Sequence, residues 1–124
     1  MNDNFIIKKI NRVILVGKNE YQEKNTTFTH NLKSNELILH LSGKSQVKFN
    51  GKTLNCESGT IRFLPKGENK EYVVEREEHG ECFDVFFDTD VPISDEAFVL
   101  NVKNSIKIEN LFKKLFSVWV SKND

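Results

Sequence analysis

The sequence is short of several residue types, and each shortage closes off a class of protein. Cysteine occurs only at Cys56 and Cys82, with no CxxC spacing and too few thiols for a disulfide framework. Both are expected as reduced thiols packed in or near the core rather than as redox or catalytic groups. Net charge is absent: eighteen lysines and arginines balance eighteen acids in 124 residues, leaving no overall electrostatic footprint for nucleic acid. No apolar run reaches bilayer length, and the N-terminus lacks the basic-then-apolar layout of a signal peptide. The cytoplasm is therefore the expected compartment, with no membrane partner. There is no internal repeat or low-complexity segment, and the length suits one hydrophobic core. Nucleophile elbow, phosphate loop and paired-carboxylate patterns are all missing, so no residue is assigned a catalytic role and no cofactor is expected.

Phenylalanine, by contrast, is plentiful. Ten of them stand against two tyrosines and one tryptophan, which points to an aromatic-rich interior rather than an aromatic binding surface. Charge is also unevenly spread. Glu75 to Glu96 holds nine acids and one arginine, whereas Lys103 to Lys122 holds five lysines and one glutamate. Both stretches read as solvated surfaces.

Short runs rich in β-branched and aromatic residues recur along most of the chain, separated by turn residues. They are "FIIKKI", "RVILVG", "TTFTH", "ELILHLSG", "SQVKFNG", "KTLNCE", "TIRFLP", "EYVVER" and "ECFDVFFD", with "KNEYQEKN" as a polar connection after the second. Asn50-Gly51 in "FNGKT" is a strong hairpin signal. Nine short strands with no helix between them predict an antiparallel sandwich or barrel. In "ELILHL", Leu37, Leu39 and Leu41 share one face while Glu36, Ile38 and His40 share the other. Such a strand is expected to be covered on both sides, one face lining a barrel interior and the other meeting a helix or a partner subunit.

The covering helix is expected at the C-terminus. In "SIKIENLFKKLFSVWVSK", Ile108, Leu111, Phe112, Leu115 and Trp119 recur at helical spacing, and Phe116 and Val120 widen the stripe. Ser105 can act as N-cap, and Lys113, Lys114 and Lys122 suit the later turns. The chain thus divides into a β unit over residues 1–104 and a helix over 105–124. A stripe this broad fits packing on the helix's own barrel and also pairing with the same helix of a second chain.

The stretch from Gly59 to Lys70 resembles the second conserved motif of the cupin superfamily: glycine, five residues, Pro-x-Gly, two residues, histidine. Gly59, Pro65 and Gly67 match in spacing, but Lys70 stands at the histidine position. Glu36 and Gly43 have the spacing that closes the first cupin motif, and "HNL" replaces its His-x-His, so that His30 matches and Leu32 does not. The resemblance implies an antiparallel cupin (double-stranded β-helix, or jelly-roll) barrel. A cupin metal site would draw on the positions of His30, Leu32, Glu36 and Lys70. Leucine has no donor and a protonated lysine repels a cation, so no metal is expected. A metal-free cupin followed by a broad amphipathic helix resembles the N-terminal sensor domain of AraC-type transcription regulators, over roughly residues 30 to 122. That resemblance implies a small-molecule effector in the barrel, such as a sugar or other metabolite. It further implies an N-terminal arm closing over the effector, a homodimer through the terminal helix, and DNA contact only through a C-terminal helix-turn-helix domain outside these residues. The chain then reads as part of a longer regulator. A different class fits the same barrel: a stand-alone metal-free sugar isomerase or epimerase with Lys70 or His40 as acid or base.

The expected pocket residues are His30, Glu36, Ile38, His40, Arg62, Lys70 and Tyr72. Glu36 is the natural partner for Lys70, the two together anchoring an anionic or hydroxylated ligand; alternatively Lys70 turns outward into solvent. Arg62 and Tyr72, on strands flanking the Pro-Gly turn, are placed at the pocket mouth. His79 in "EEHGE" is expected on the surface, Phe83, Phe86 and Phe87 in the core. Asp84, Asp88 and Asp90 read as the polar face of a strand and its following turn. The expected dimer contacts are Ile108, Leu111, Phe112, Leu115, Phe116 and Trp119.

Overall fold

A computed structural model describes residues 10–21, 26–103 and 106–122, with side chains left aside at 26–31 and 68–71. Its described elements are β1 (Arg12–Tyr21), β2 (Thr26–Leu32), β3 (Asn35–His40), β4 (Lys44–Phe49), β5 (Lys52–Glu57), β6 (Thr60–Leu64), β7 (Gly67–Glu78), β8 (Gly80–Asp88), β9 (Phe98–Asn101) and α1 (Ile106–Lys122). Two antiparallel sheets face one another, with strand orders β1-β8-β3-β6-β9 and β2-β7-β4-β5. The architecture is the expected mainly-β barrel of cupin type with a C-terminal helix. Among the described residues no helix is long and apolar enough to cross a membrane.

Local chemistry places the turns. Asn50 and Gly51 both have positive φ, 47° and 79°, the conformation of a two-residue hairpin whose twist matches the flanking strands. Phe49 and Lys52 close it as a pair. After β6, the buried Pro65 ends the first sheet because it has no N–H to continue the ladder, and the chain crosses to β7 in the second sheet. The crossing is pinned where Lys66 N donates to Asn35 Oδ1 at 3.0 Å. Gly43 and Gly80 meet back to back: a Cβ on Gly43 would lie 2.7 Å from the Gly80 Cα, and one on Gly80 would collide with the Ser42 carbonyl oxygen.

Three elements depart from the sequence reading. β1 continues through "KNEY" to Tyr21 rather than ending at Gly17, because those polar side chains find partners: Lys18 lies over the Phe83 ring and Tyr21 pairs with Cys82. β7 begins at Gly67, paired with Leu32, not near Glu71. A further strand, β9, pairs with β6 through Phe63↔Phe98; its four residues at a sheet edge are too few to show a period. The "FIIKKI" strand before Ile10 and the Ser105 cap lie outside the described residues.

The first sheet is buried on both faces, as the patterning of "ELILHL" required. Its outer face carries Leu39, Ile61, Phe63, Phe83, Val85, Phe87 and Phe98 against Phe112 of α1. Phe63 stacks on Phe98 with centroids 5.0 Å apart, and Phe83 meets Phe112 and Phe116 at 6.4 and 5.9 Å. Between the sheets lies a second apolar cluster of Leu32, Val47, Phe49, Leu54, Cys56, Leu64, Tyr72 and Val74. Both cysteines are free and buried. Phe83 and Phe87 belong to the helix-facing core, while Phe86 alternates to the inner face and is half-buried.

The close crossing at Gly80 is testable. Gly80→Ala should lower stability by about 1–3 kcal/mol in urea denaturation, since the new methyl meets backbone that cannot retreat. Gly51→Ala, with nothing within 4 Å but a positive φ, should cost only about 1 kcal/mol.

Candidate ligand-binding site

Strand register lines up one row of inner-face residues across the first sheet. Gly17 faces Asp84, Asp84 faces Ile38, Ile38 faces Arg62, and Arg62 faces Val99. A second row holds Asn19, Cys82, His40 and Thr60. Alternation along each strand sends these side chains between the sheets, where they meet the apolar residues of the second sheet. The barrel interior is therefore polar on one wall and apolar on the other.

The centre of the polar wall is an ion pair. Arg62 Nη2 donates to Glu36 Oε1 at 3.0 Å, and both side chains are only 6% exposed. Burial pushes the Glu36 carboxyl up, opposed by the adjacent guanidinium. Burial alone would lower Arg62, but Glu36 and the neighbouring Cys56 and Tyr21 hold it above its ordinary value. A guanidinium stays protonated in any case, and its charge favours the ionised form of the carboxylate beside it.

Asp84 joins the wall from β8. Asn19 Nδ2 donates to its Oδ2, and the carboxylate lies over Gly17, where a Cβ would fall 2.5 Å from Oδ1. Gly17 thus leaves room for the acid. Burial raises the Asp84 carboxyl, partly offset by Asn19. Below it, Cys82 Sγ donates to Tyr21 Oη at 2.9 Å, and the Arg76 guanidinium covers the Tyr21 ring at 4.1 Å. Burial pushes Tyr21 up and moves Cys82 to about 11, so both stay protonated. His40 is the remaining inner-face group. Burial, reinforced by Arg62, lowers its imidazole to about 3, which keeps it neutral. Three buried polar atoms of this wall, Arg62 Nε, Asp84 Oδ1 and His40 Nε2, have no hydrogen-bond partner among the described residues.

The wall is reached along β1. Leu15 is on the inner face beside Phe86 yet 47% exposed, and Asn19 is exposed too. The edge strand is therefore the side on which the interior meets solvent.

Of the expected pocket residues, Glu36, Ile38, His40, Arg62 and Tyr72 are all buried between the sheets. The side chains of His30 and Lys70 lie outside the described residues; the backbone places their strands side by side, with His30 opposite Glu71. Glu36 has a partner that the sequence reading did not assign, Arg62, because register puts the two on adjacent strands and a forked guanidinium reaches the carboxylate directly. The expected contact of Glu36 with Lys70 lies outside the described residues. Arg62 and Tyr72 also sit deep rather than at a mouth, since their strands run on through the interior. Asp84 is an inner-face group, not solvated strand surface; its alternation with Phe83 and Val85 in "ECFDVFFD" was the available signal. Asp90 is exposed beside Asn11, as expected of a turn. His79 is exposed and pairs with Glu20 at 3.3 Å. Gly17, Asn19, Tyr21 and Arg76 went unassigned in the sequence reading.

The residues do not fit the metal that cupin barrels commonly hold. Leu32 carries no donor and is buried in the apolar cluster, and the Glu36 carboxylate is engaged by a guanidinium whose charge repels a cation. Among the described residues no cluster of three His, Cys, Asp or Glu side chains could hold a metal ion.

The sequence profile described as ethanolamine utilisation protein EutQ matches residues 6–83, and the chain belongs to that family. No curated protein sequence matches it. Among solved structures, unsaturated-fatty-acid-bound ToxT from Vibrio cholerae superposes at TM-score 0.62 and 7% identity, over 91% of this chain and 49% of that one. The cupin 2 conserved barrel protein from Leptotrichia buccalis gives 0.55 and 9%, over 82% and 49%. A predicted oxalate decarboxylase from Thermotoga maritima gives 0.52 and 16%, over 64% and 70%. These likenesses establish the cupin fold, and the chain spans about half the length of the first two.

The neutral, buried His40 makes a pH prediction. Its folded value of about 3 lies below the ordinary 6.5, so the unfolded chain binds the extra proton between them. His40 therefore stabilises the fold fully above pH 6.5, and that stability is lost as pH falls toward 3, with a slope of up to about 1.4 kcal/mol per pH unit. Glu36 and Asp84, raised by burial, contribute the opposite slope and are present in every variant. Urea denaturation at several pH values should show His40→Leu losing less stability on acidification than the parent. Parallel curves would mean that the imidazole is solvated.

Proposed function

We propose that this EutQ-family barrel is a non-catalytic, metal-free domain that senses a small molecule, acts as a homodimer, and serves a DNA-binding unit as in AraC-type regulators. The observation that carries the reading is the Arg62–Glu36 pair at the centre of the interior. It occupies the position of a cupin metal ligand with a closed ionic contact, which orients and recognises but supplies neither Lewis acid nor nucleophile. The helix lends further support. ToxT, an AraC-type regulator, superposes over so much of this chain that fewer residues are left out than α1 contains, so at least part of the helix is matched along with the barrel. ToxT is bound to an unsaturated fatty acid in that structure; for this chain the effector is a small molecule entering along β1.

The isomerase or epimerase reading depends on His40 or Lys70. An imidazole held to about 3 is almost wholly unprotonated at neutral pH, so it is a poor proton donor and a weak base. This counts against His40 as the acid or base of that reading. A thermal-shift screen against cell metabolites, with reaction products followed by NMR, should find a ligand that raises Tm without being converted. Turnover that disappears in His40→Gln would overturn the reading.

The dimer follows from how the helix stripe divides. Phe112 is buried on the barrel, and Ile108, Phe116 and Trp119 pack against the same core. Leu111, Leu115 and Val118 stay 56%, 37% and 56% exposed, and with Ile10 they form an apolar face that an isologous partner would cover. Leu115→Glu should shift sedimentation toward monomer with little change in the unfolding midpoint. A parent domain that sediments as a monomer at high micromolar concentration would refute the dimer.

A further inference from the structure

The exposed stripe of α1 is not purely apolar. Lys107, Leu111, Lys114, Leu115, Val118 and Lys122 recur at helical spacing and are all exposed, so three apolar residues are interleaved with three cations. Two clefts flank this stripe where α1 meets β1, and Leu115 is common to both. One, of about 160 Å³, has an apolar lining that includes Ile10, Phe87 and Leu111. The other, of about 390 Å³, brings Arg12 and Lys122 together with Val118 and Trp119, and among the described residues no acid lines it. Asp88, 3.7 Å from Arg12, offsets part of that charge. Pairing the stripe directly on its own symmetry mate would set cations against cations across the twofold axis. The surface fits an occupant that is both apolar and acidic.

The chain carries such a segment itself, between β8 and β9. Residues 89–97, "TDVPISDEA", hold three acids and no lysine or arginine. Val91 is 73% exposed, more than any other large apolar residue described, and Pro92 beside it is exposed too. This tip is held in place. Thr89 Oγ1 donates to the Val91 carbonyl at 2.7 Å, Glu96 N donates to Ser94 Oγ at 3.0 Å, and Ile93 packs against the core. Little ordering entropy is therefore lost when Val91 and Pro92 are buried. The loop also borders the cleft of its own chain. Asn11, which lines the cleft, donates through Nδ2 to Asp90 and through its backbone N to the Asp88 carbonyl. An acidic projection thus adjoins a basic recess, and a twofold axis near their shared border carries each loop onto the other copy's cleft. We infer that the dimer forms by this reciprocal contact. Val91 and Pro92 of each copy enter the other's cleft between β1 and α1, while Asp95 and Glu96 face Lys114 and Lys122. A flat bilayer would meet the same cations but cannot fill the two recesses. The inference rests on the homodimer reading and names the surface that covers the helix face.

The test is sedimentation equilibrium of the whole chain at several salt concentrations. Opposite charges brought together give a dimer that weakens as salt rises from about 0.05 to 0.5 M, whereas direct helix-to-helix pairing gives the reverse. Val91→Ser should weaken the dimer roughly tenfold. Asp95→Lys with Glu96→Lys, and separately Lys114→Glu with Lys122→Glu, should each yield monomers. An equimolar mixture of the two should recover a dimer of near-parent strength, since every loop then meets a cleft of opposite charge. Circular dichroism verifies each fold. Should a charge-reversed chain fail to fold, Val91→Ser and the salt dependence still decide. A parent dimer left unchanged by Val91→Ser, or strengthened by salt, overturns the loop contact and leaves the homodimer reading standing. Charge-reversed loops that leave the dimer intact, with phosphatidylserine vesicles bound only by chains retaining Lys114 and Lys122, would assign the cleft to a membrane surface and overturn it likewise. A parent that is monomeric throughout refutes dimer and contact together.

Discussion

The buried pair between Arg62 and Glu36 is the constraint on which the rest of the barrel depends. Taking two charges out of water is expensive, and the cost is offset only when geometry and neighbouring groups are favourable. Here the strands supply that geometry: β3 and β6 are adjacent, and the contact is 3.0 Å. Loss of either partner leaves an uncompensated charge within a wall that also contains Asp84. The surrounding groups follow from this. His40 is held neutral, while Tyr21 and Cys82 keep their protons and bond to each other. Among the described residues the first-sheet wall is polar, with Arg62 opposing Glu36 and Asp84.

A sheet carrying such a wall needs strong apolar packing on its other face. Leu39, Phe63, Phe83, Val85 and Phe87 provide it, with Phe112 of α1 as the keystone. Full burial of such side chains contributes about 1.5–3 kcal/mol each, enough to offset the desolvation of several polar groups. The helix is therefore a structural lid on the first sheet before it is anything else. That role uses only half of its apolar stripe.

Much of this was legible from the residues themselves. The hairpin at Asn50-Gly51, the two-sided burial of "ELILHL" and the terminal helix all follow from local periodicity and turn chemistry. What escaped was set by pairing at a distance. "KNEY" is too polar to read as strand unless Asp84, Phe83 and Cys82 are known to wait on β8. Arg62 in "TIRFL" gives no local sign that Glu36, 26 residues earlier, is its partner. β9 is a strand only because β6 offers it an edge. The inner-face groups were half visible: parity put Glu36, Ile38 and His40 together, but Asp84 looked like one member of an acidic stretch. Charge counting along a chain does not distinguish a solvated acid from one buried beside an arginine.

The alternation of β8 bears on how a sensor of this design would report. Asp84 points inward to the proposed ligand, while Phe83 and Val85, its immediate neighbours, point outward beneath α1. Phe83 touches both Phe112 and Phe116 of the helix. A change in the position of the Asp84 backbone is thus transmitted to helix contacts through one peptide unit, with no intervening loop. Coupling of this kind requires that the two arrangements differ in affinity for the effector. The inner wall and the helix are two faces of one strand, and that shared backbone is what would make occupancy of the first felt by the second.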